Sequence, residues 1–70
     1  MQSLKKGRYR HYKGNEYEVI GTAIHSETLE IYVVYQDLDV EHKLWIRPYE
    51  MFVENVVVDG VPVPRFQFIE

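Results

Sequence analysis

A small domain built almost wholly of short antiparallel strands is what this sequence predicts, and three observations predict it. Apolar and polar residues alternate with period two, the alternating segments are rich in β-branched and aromatic side chains, and turn signals separate them at short intervals. Apolar residues at helical spacing are hard to find. The 70 residues allow one domain, and a chain this short buries only about 60% of the surface its unfolded form exposes, so stability is marginal. Cysteine is absent, which excludes a disulfide framework, a thiolate nucleophile and cysteine-ligated zinc. A hydrophobic content of 46%, with 14% aromatic, has to supply the core instead.

Residues 1–6 are expected to be a flexible N-terminus, with a single domain over residues 7–70. The first strand covers Gly7 to Tyr12, and Gly14-Asn15 then tolerates positive φ and suits a tight hairpin. Tyr17 to His25 reads as the second strand and Glu30 to Asp37 as the third. With Ser26 to Leu29 as a four-residue loop, His25 faces Glu30, Ile24 faces Ile31, Thr22 faces Val33 and Ile20 faces Tyr35. That register places Ile20, Ile24, Ile31, Val33 and Tyr35 on one face, and matches Ala23 with Tyr32 and Gly21 with Val34 on the other. The acidic stretch "DLDVEH" connects to a fourth strand, Lys43 to Arg47, which Pro48 ends. "PYEMF" reads as one short helical turn, preorganised by Pro48, that folds Met51 and Phe52 back onto the sheet. Val53 to Val58 is the fifth strand, Asp59-Gly60 a hairpin turn, and Val61 to Ile69 the sixth. Pro62 and Pro64 cannot donate to a ladder, so this last strand is expected at an edge or only partly paired. Five or six short antiparallel strands with one helical turn point to a small SH3-like barrel, because an OB-type barrel wants a longer helix between its strands.

The net charge of −3 hides an asymmetry: Lys5, Lys6, Arg8, Arg10 and Lys13 lie in the first thirteen residues, which contain no acid, and all eleven carboxylates follow. A basic first strand can track phosphates, yet the acidic remainder repels a polyanion unless the two charge types occupy different faces. Nucleic-acid contact through Arg8, Arg10, His11 and Lys13 is therefore the lesser expectation. The same residues, with Tyr9 and Tyr12 interleaved, also suit a strand protected against edge-to-edge aggregation. The basic, broken N-terminus is unlike a signal peptide, and no stretch is long enough to span a bilayer. A cytoplasmic protein, monomeric or weakly dimeric, is the expectation.

Three blocks in this order, "GRYRHYKGNEYEVIGTAIHSETLEIYVVY", "LWIRPYEMF" and "VDGVPVPRFQFI", resemble the bacterial family of small proteins called Domain of Unknown Function 1653. The resemblance covers Gly7 to Ile69. It implies a compact, often free-standing bacterial domain and no particular reaction. Among the positions that match the family's pattern, packing does not obviously explain His11, Lys13, His25, Ser26, Glu27, Arg47 and Arg65. Ile24 departs from that pattern, which usually has a more polar residue there.

A hydrolase needs a nucleophile, a base and an orienter within hydrogen-bond reach. Ser26 and His25 are adjacent, and adjacent strand residues point to opposite faces, so they make a poor pair. Glu27 at an exposed turn has no desolvation to tune it. A small hydrolase-like enzyme using His25 and Glu27 is thus an alternative only, with no catalytic residues assigned. His11, His25 and His42 show no ligand spacing, so neither a metal nor another cofactor is expected.

"LWIRP" sets Trp45 and Arg47 on one face of a strand and Leu44 and Ile46 on the other. If Leu44 and Ile46 are core, Trp45 and Arg47 form an exposed surface able to stack on and grip a flat or anionic ligand. If Trp45 is the core ring, Arg47 only snorkels to a carboxylate such as Glu50. In "PRF", Phe66 and Phe68 face the core and Arg65 points away. The leading expectation is a non-enzymatic binding or interaction module for a small anionic ligand or a protein partner. Its surface includes Trp45, Arg47 and Arg65, with His25, Ser26, Glu27 and Thr28 at the rim. "HSET" is a turn first and a site contributor second.

Overall fold

Alternation becomes strand pairing almost throughout. The computed structural model describes residues 4–39 and 41–70. In these, β1 (Gly7–His11), β2 (Glu16–Ile24), β3 (Ile31–Asp37), β4 (Leu44–Pro48), α1 (Tyr49–Val53), β5 (Asn55–Val58), β6 (Val61–Pro64) and β7 (Phe66–Phe68) follow in chain order. One antiparallel sheet has the order β4-β3-β2-β1-β7, and β5-β6 is a separate two-stranded ribbon. No helix among the described residues is long and apolar enough to cross a membrane.

Near the β2–β3 turn the expected register holds: Ile24 pairs with Ile31, Ala23 with Tyr32, Thr22 with Val33 and Gly21 with Val34. It fails at Ile20. A β-bulge there lets Val19, not Ile20, oppose Tyr35. An extra residue reverses the in-out alternation, so Tyr17 and Val19 join Thr22 and Ile24 on the inner face. Val19 is accordingly buried, while Ile20 is exposed. Ile24, also expected in the core, lies beyond its margin and is exposed.

The last expected strand is two strands. Val61–Pro64 pairs with β5 across the Asp59-Gly60 turn, where both residues have positive φ (52° and 79°) as a two-residue hairpin loop requires. The chain then bends at Arg65, and Phe66–Phe68 pairs with β1 at the sheet edge. Val53 belongs to α1, so the fifth strand starts two residues later than expected.

The core is Tyr9, Val19, Val33, Tyr35, Phe52 and Phe66, with Leu4, Tyr17, Tyr49 and Phe68 packed against it. α1 supplies Phe52, whose ring is 1% exposed and stacks on Phe66 at 4.0 Å between centroids. Tyr9 and Tyr35 meet Phe52 at 5.6 and 5.4 Å. Of the expected N-terminal segment, residues 1–3 lie outside the described residues. Leu4 packs on the core, and the Lys5 carbonyl accepts a 2.6 Å hydrogen bond from the Tyr9 hydroxyl.

Candidate functional site

Pairing of β3 with β4 decides which face Trp45 and Arg47 share. Tyr35 opposes Trp45 and Val33 opposes Arg47, so both side chains lie on the inner face with the buried Tyr35 and Val33. Leu44 and Ile46, which one of the two alternatives puts in the core, take the opposite face and are each 63% exposed. Trp45 is nevertheless not a core ring: it stands at the margin of the inner face, 45% exposed. Its indole N–H donates to Asp37 Oδ2 at 3.1 Å. Neither alternative holds as drawn: Leu44 and Ile46 are not core, and Trp45 shares the inner face with Arg47 without being its central ring.

Arg47 extends inward from β4. Its guanidinium carbon lies 5.7 Å from the Phe66 ring centroid, within cation-π range, and its Nε–H donates a long 3.4 Å hydrogen bond to the Tyr35 hydroxyl. Glu50, the carboxylate expected to receive it, does not. His11 also meets Phe66, 4.9 Å away edge to face, because β1 and β7 pair these two residues. Arg65 follows at the β6–β7 bend. Its Nη2 donates to Glu54 Oε1 at 3.0 Å, while its Nε–H is buried with no hydrogen-bond partner.

His11 senses both arginines. Burial first, then the charges of Arg47, Arg65 and Lys13, hold its pKa below the ordinary histidine value. Its Nδ1 accepts the Lys13 amide at 3.2 Å, which leaves Nε2 as the ring's donor when neutral. His11 and Arg47 both meet the Phe66 ring, and the Arg47 and Arg65 charges both reach His11, so this part of the inner face is electropositive. An anion would be stabilised there, and would favour protonation of His11.

His25 is not part of this cluster. It opens the turn between β2 and β3, where Nδ1 accepts the Glu27 and Thr28 amides at 3.1 and 3.2 Å. Its closest ring is Tyr32 at 6.1 Å, whose side chain lies on the face opposite to Val33 and Tyr35. Thr28 Oγ1 receives the Glu30 amide and donates to Glu30 Oε1, both at 3.2 Å. Among the described residues no hydrogen bond joins Ser26 to His25 or Glu27, so the nucleophile and base of a hydrolase are not assembled. The loop is an exposed, locally hydrogen-bonded turn, and His25, Ser26, Glu27 and Thr28 are not brought to Arg47 and Arg65.

The basic residues of β1 divide by parity. Tyr9 and His11 face inward; Arg8 and Arg10 face outward and are neutralised, Arg10 by Glu16 at 3.0 Å and Arg8 by Glu70 at 3.6 Å. Lys13 is exposed, its Nζ 5.8 Å from the Tyr12 centroid. No group of three or more metal-ligating side chains occurs among the described residues.

Three residues here were not singled out from the sequence: Tyr17, Tyr35 and Asp37. Tyr17 stands 5.3 Å from Tyr35 and 5.8 Å from Phe66. Asp37 receives the Trp45 indole at one oxygen and the Lys43 amide at the other, 2.9 Å. Desolvation pushes the Asp37 carboxyl up, but the hydrogen bonds with Trp45, Asp39 and the Lys43 amide, together with the Lys43 charge, outweigh it and hold its pKa below the usual value. The β3–β4 register would have revealed Asp37, since it alone brings the end of β3 beside Trp45.

Comparison with known proteins agrees with this architecture. The family model described as "Protein of unknown function (DUF1653)" matches residues 7–68. Among solved structures, the crystal structure of a DUF1653 protein from Bordetella bronchiseptica superposes with a TM-score of 0.87 at 37% sequence identity. The alignment covers 99% of this chain and 91% of that one. No curated protein matches.

Proposed function

Since the chain belongs to the DUF1653 family of proteins of unknown function, we propose, from the inner face alone, that it is a non-enzymatic module that binds the anionic group of a small ligand. Arg47 and Arg65 grip the anion, His11 donates from Nε2 or as the imidazolium, and Phe66 and Tyr35 form the floor. The observation that carries this reading is Arg47: it reaches over Phe66 yet forms no ion pair among the described residues, while each of Arg8, Arg10 and Arg65 has a carboxylate partner. A guanidinium drawn over apolar rings without a counter-charge is costly to desolvate and gains most from an incoming anion.

The scaffold for this module is read as an SH3-like barrel. Its support is the contact of Arg47 on β4 with Phe66 on β7, the two edge strands of the sheet, which requires strong curling. A nucleic-acid surface along β1 is disfavoured by the ion pairs that occupy Arg8 and Arg10.

The test is an amide and arginine side-chain NMR titration with inorganic phosphate and with adenosine monophosphate. Saturable shifts at His11, Arg47, Arg65 and Phe66 are expected. Shifts confined to residues 25–28, or none at either ligand's highest concentration, would overturn the assignment.

A further inference from the structure

At the Trp45 end of the inner face lies a cleft lined in part by carboxylates. Its volume is about 480 Å³, and its lining includes Tyr17 and Trp45 with the carboxylates of Glu16, Asp37 and Asp39. We propose that this cleft binds a methylated ammonium group, held against the rings of Tyr17 and Trp45 and balanced by Asp37. The inference is independent of the anion reading, since it uses different residues.

Two features carry it. The first is that Trp45 is fixed as well as exposed: its N–H is tied to Asp37 at 3.1 Å while 45% of the residue stays open to solvent. A large ring anchored at its polar edge presents its face instead of collapsing onto the core. The second is the state of Asp37. Its oxygens accept the Lys43 amide and the Trp45 indole N–H, which sets its orientation; Asp39 hydrogen-bonds it and the Lys43 charge reaches it, but among the described residues no ion pair within 4 Å engages it. Lys43, the one basic residue in the lining, directs its ammonium to Glu41 at 2.8 Å, and Glu16 is shared with Arg10. A methylated ammonium cannot donate strong hydrogen bonds; it is recognised by ring faces and a nearby negative charge, which is what this cleft combines.

Such a group can arrive as a free small cation or as a methylated lysine side chain, and the two sources are separable. Choline chloride is titrated into the labelled protein, following Trp45 emission and its indole N–H resonance, beside sodium chloride and the uncharged isostere 3,3-dimethylbutanol. Expected are saturable changes with choline, about tenfold weaker with the isostere, and several-fold weakening in Asp37→Asn. Should that variant fail to fold, Trp45→Leu, read on the Tyr17 amide, replaces it and should lose binding. A short trimethyllysine peptide that binds tighter than choline identifies a side chain as the source; equal affinity identifies the free cation. Choline changes no larger than those of salt, or matched by the isostere, would overturn the proposal. Phosphate shifts at His11 and Arg47 are unaffected by that outcome, so the two readings fail separately.

Discussion

Arg47 and Phe66 sit on opposite edge strands of one sheet, yet the guanidinium carbon is 5.7 Å from the ring centroid. In a flat sheet four strand spacings of about 4.8 Å would separate those edges, about 19 Å in all. The sheet therefore curls enough for the Arg47 side chain to reach a ring on the opposite edge strand. That guanidinium interacts with a ring and a hydroxyl but with no carboxylate, so its loss should cost the fold little. Arg47→Gln is expected to lower stability by no more than about 1 kcal/mol in urea unfolding. The same variant should abolish the phosphate-dependent shifts at His11 and Phe66. Shifts that survive it would remove the residue on which the anion site depends.

Phe52 decides whether the curled sheet has a core at all. α1 is only five residues long, too short to be stable alone, and is held by burial of this one ring against Phe66. Phe52→Ala should cost about 3–5 kcal/mol, comparable with all the stability a core this small supplies. The expected result is loss of a cooperative urea transition, together with collapse of amide dispersion. Phe52→Leu should retain the transition at a lower midpoint, because much of the apolar volume remains.

How much of this was legible in the sequence depended on whether a feature was local. The Asp59-Gly60 turn, the helical turn after Pro48 and the register around Gly21 to Ile24 follow from residues a few positions apart, and each was readable. The bulge at Ile20 was not: Val19 and Ile20 are equally apolar, and only competition for the space beside Tyr35 selects Val19. The side of Trp45 and Arg47 stays open in the sequence for the same reason, since "LWIRP" alternates apolar and amphipathic residues on either parity. Trp45 and Arg47 are readable as a pair, but His11 as a neighbour of Phe66 depends on β7 returning to β1, which the bend at Arg65 brings about.

His11 gives the protein an acid-side dependence whose sign can be worked out. Its folded pKa lies below the ordinary 6.5, through burial first and then Arg47, Arg65 and Lys13. As pH falls, the unfolded chain takes up this proton before the folded one does. The contribution is therefore intact above about 6.5, declines as pH drops from there through the folded pKa, and levels off below it. His11→Gln should flatten that part of the stability profile measured by urea unfolding. Phosphate should act in the opposite sense, raising the folded pKa of His11 in a ring-proton NMR titration; an unchanged value would count against the anion site.

The turn at residues 25–28 should behave as a structural device, with His25 and Ser26 responding differently. His25 Nδ1 accepts two backbone amides, those of Glu27 and Thr28, much as a cap does. Replacing the ring by alanine returns both donors to solvent at an exposed site, so His25→Ala should cost about 1 kcal/mol and broaden the Glu27 and Thr28 amides. Ser26 and Glu27 have no side-chain hydrogen bond among the described residues, and Ser26→Ala or Glu27→Gln should stay within about 0.5 kcal/mol of the parent. None of the three should alter phosphate binding at Arg47. A large loss of binding in Ser26→Ala or Glu27→Gln, with stability preserved, would instead move the site to this loop, because nothing in its local hydrogen bonding then accounts for the effect.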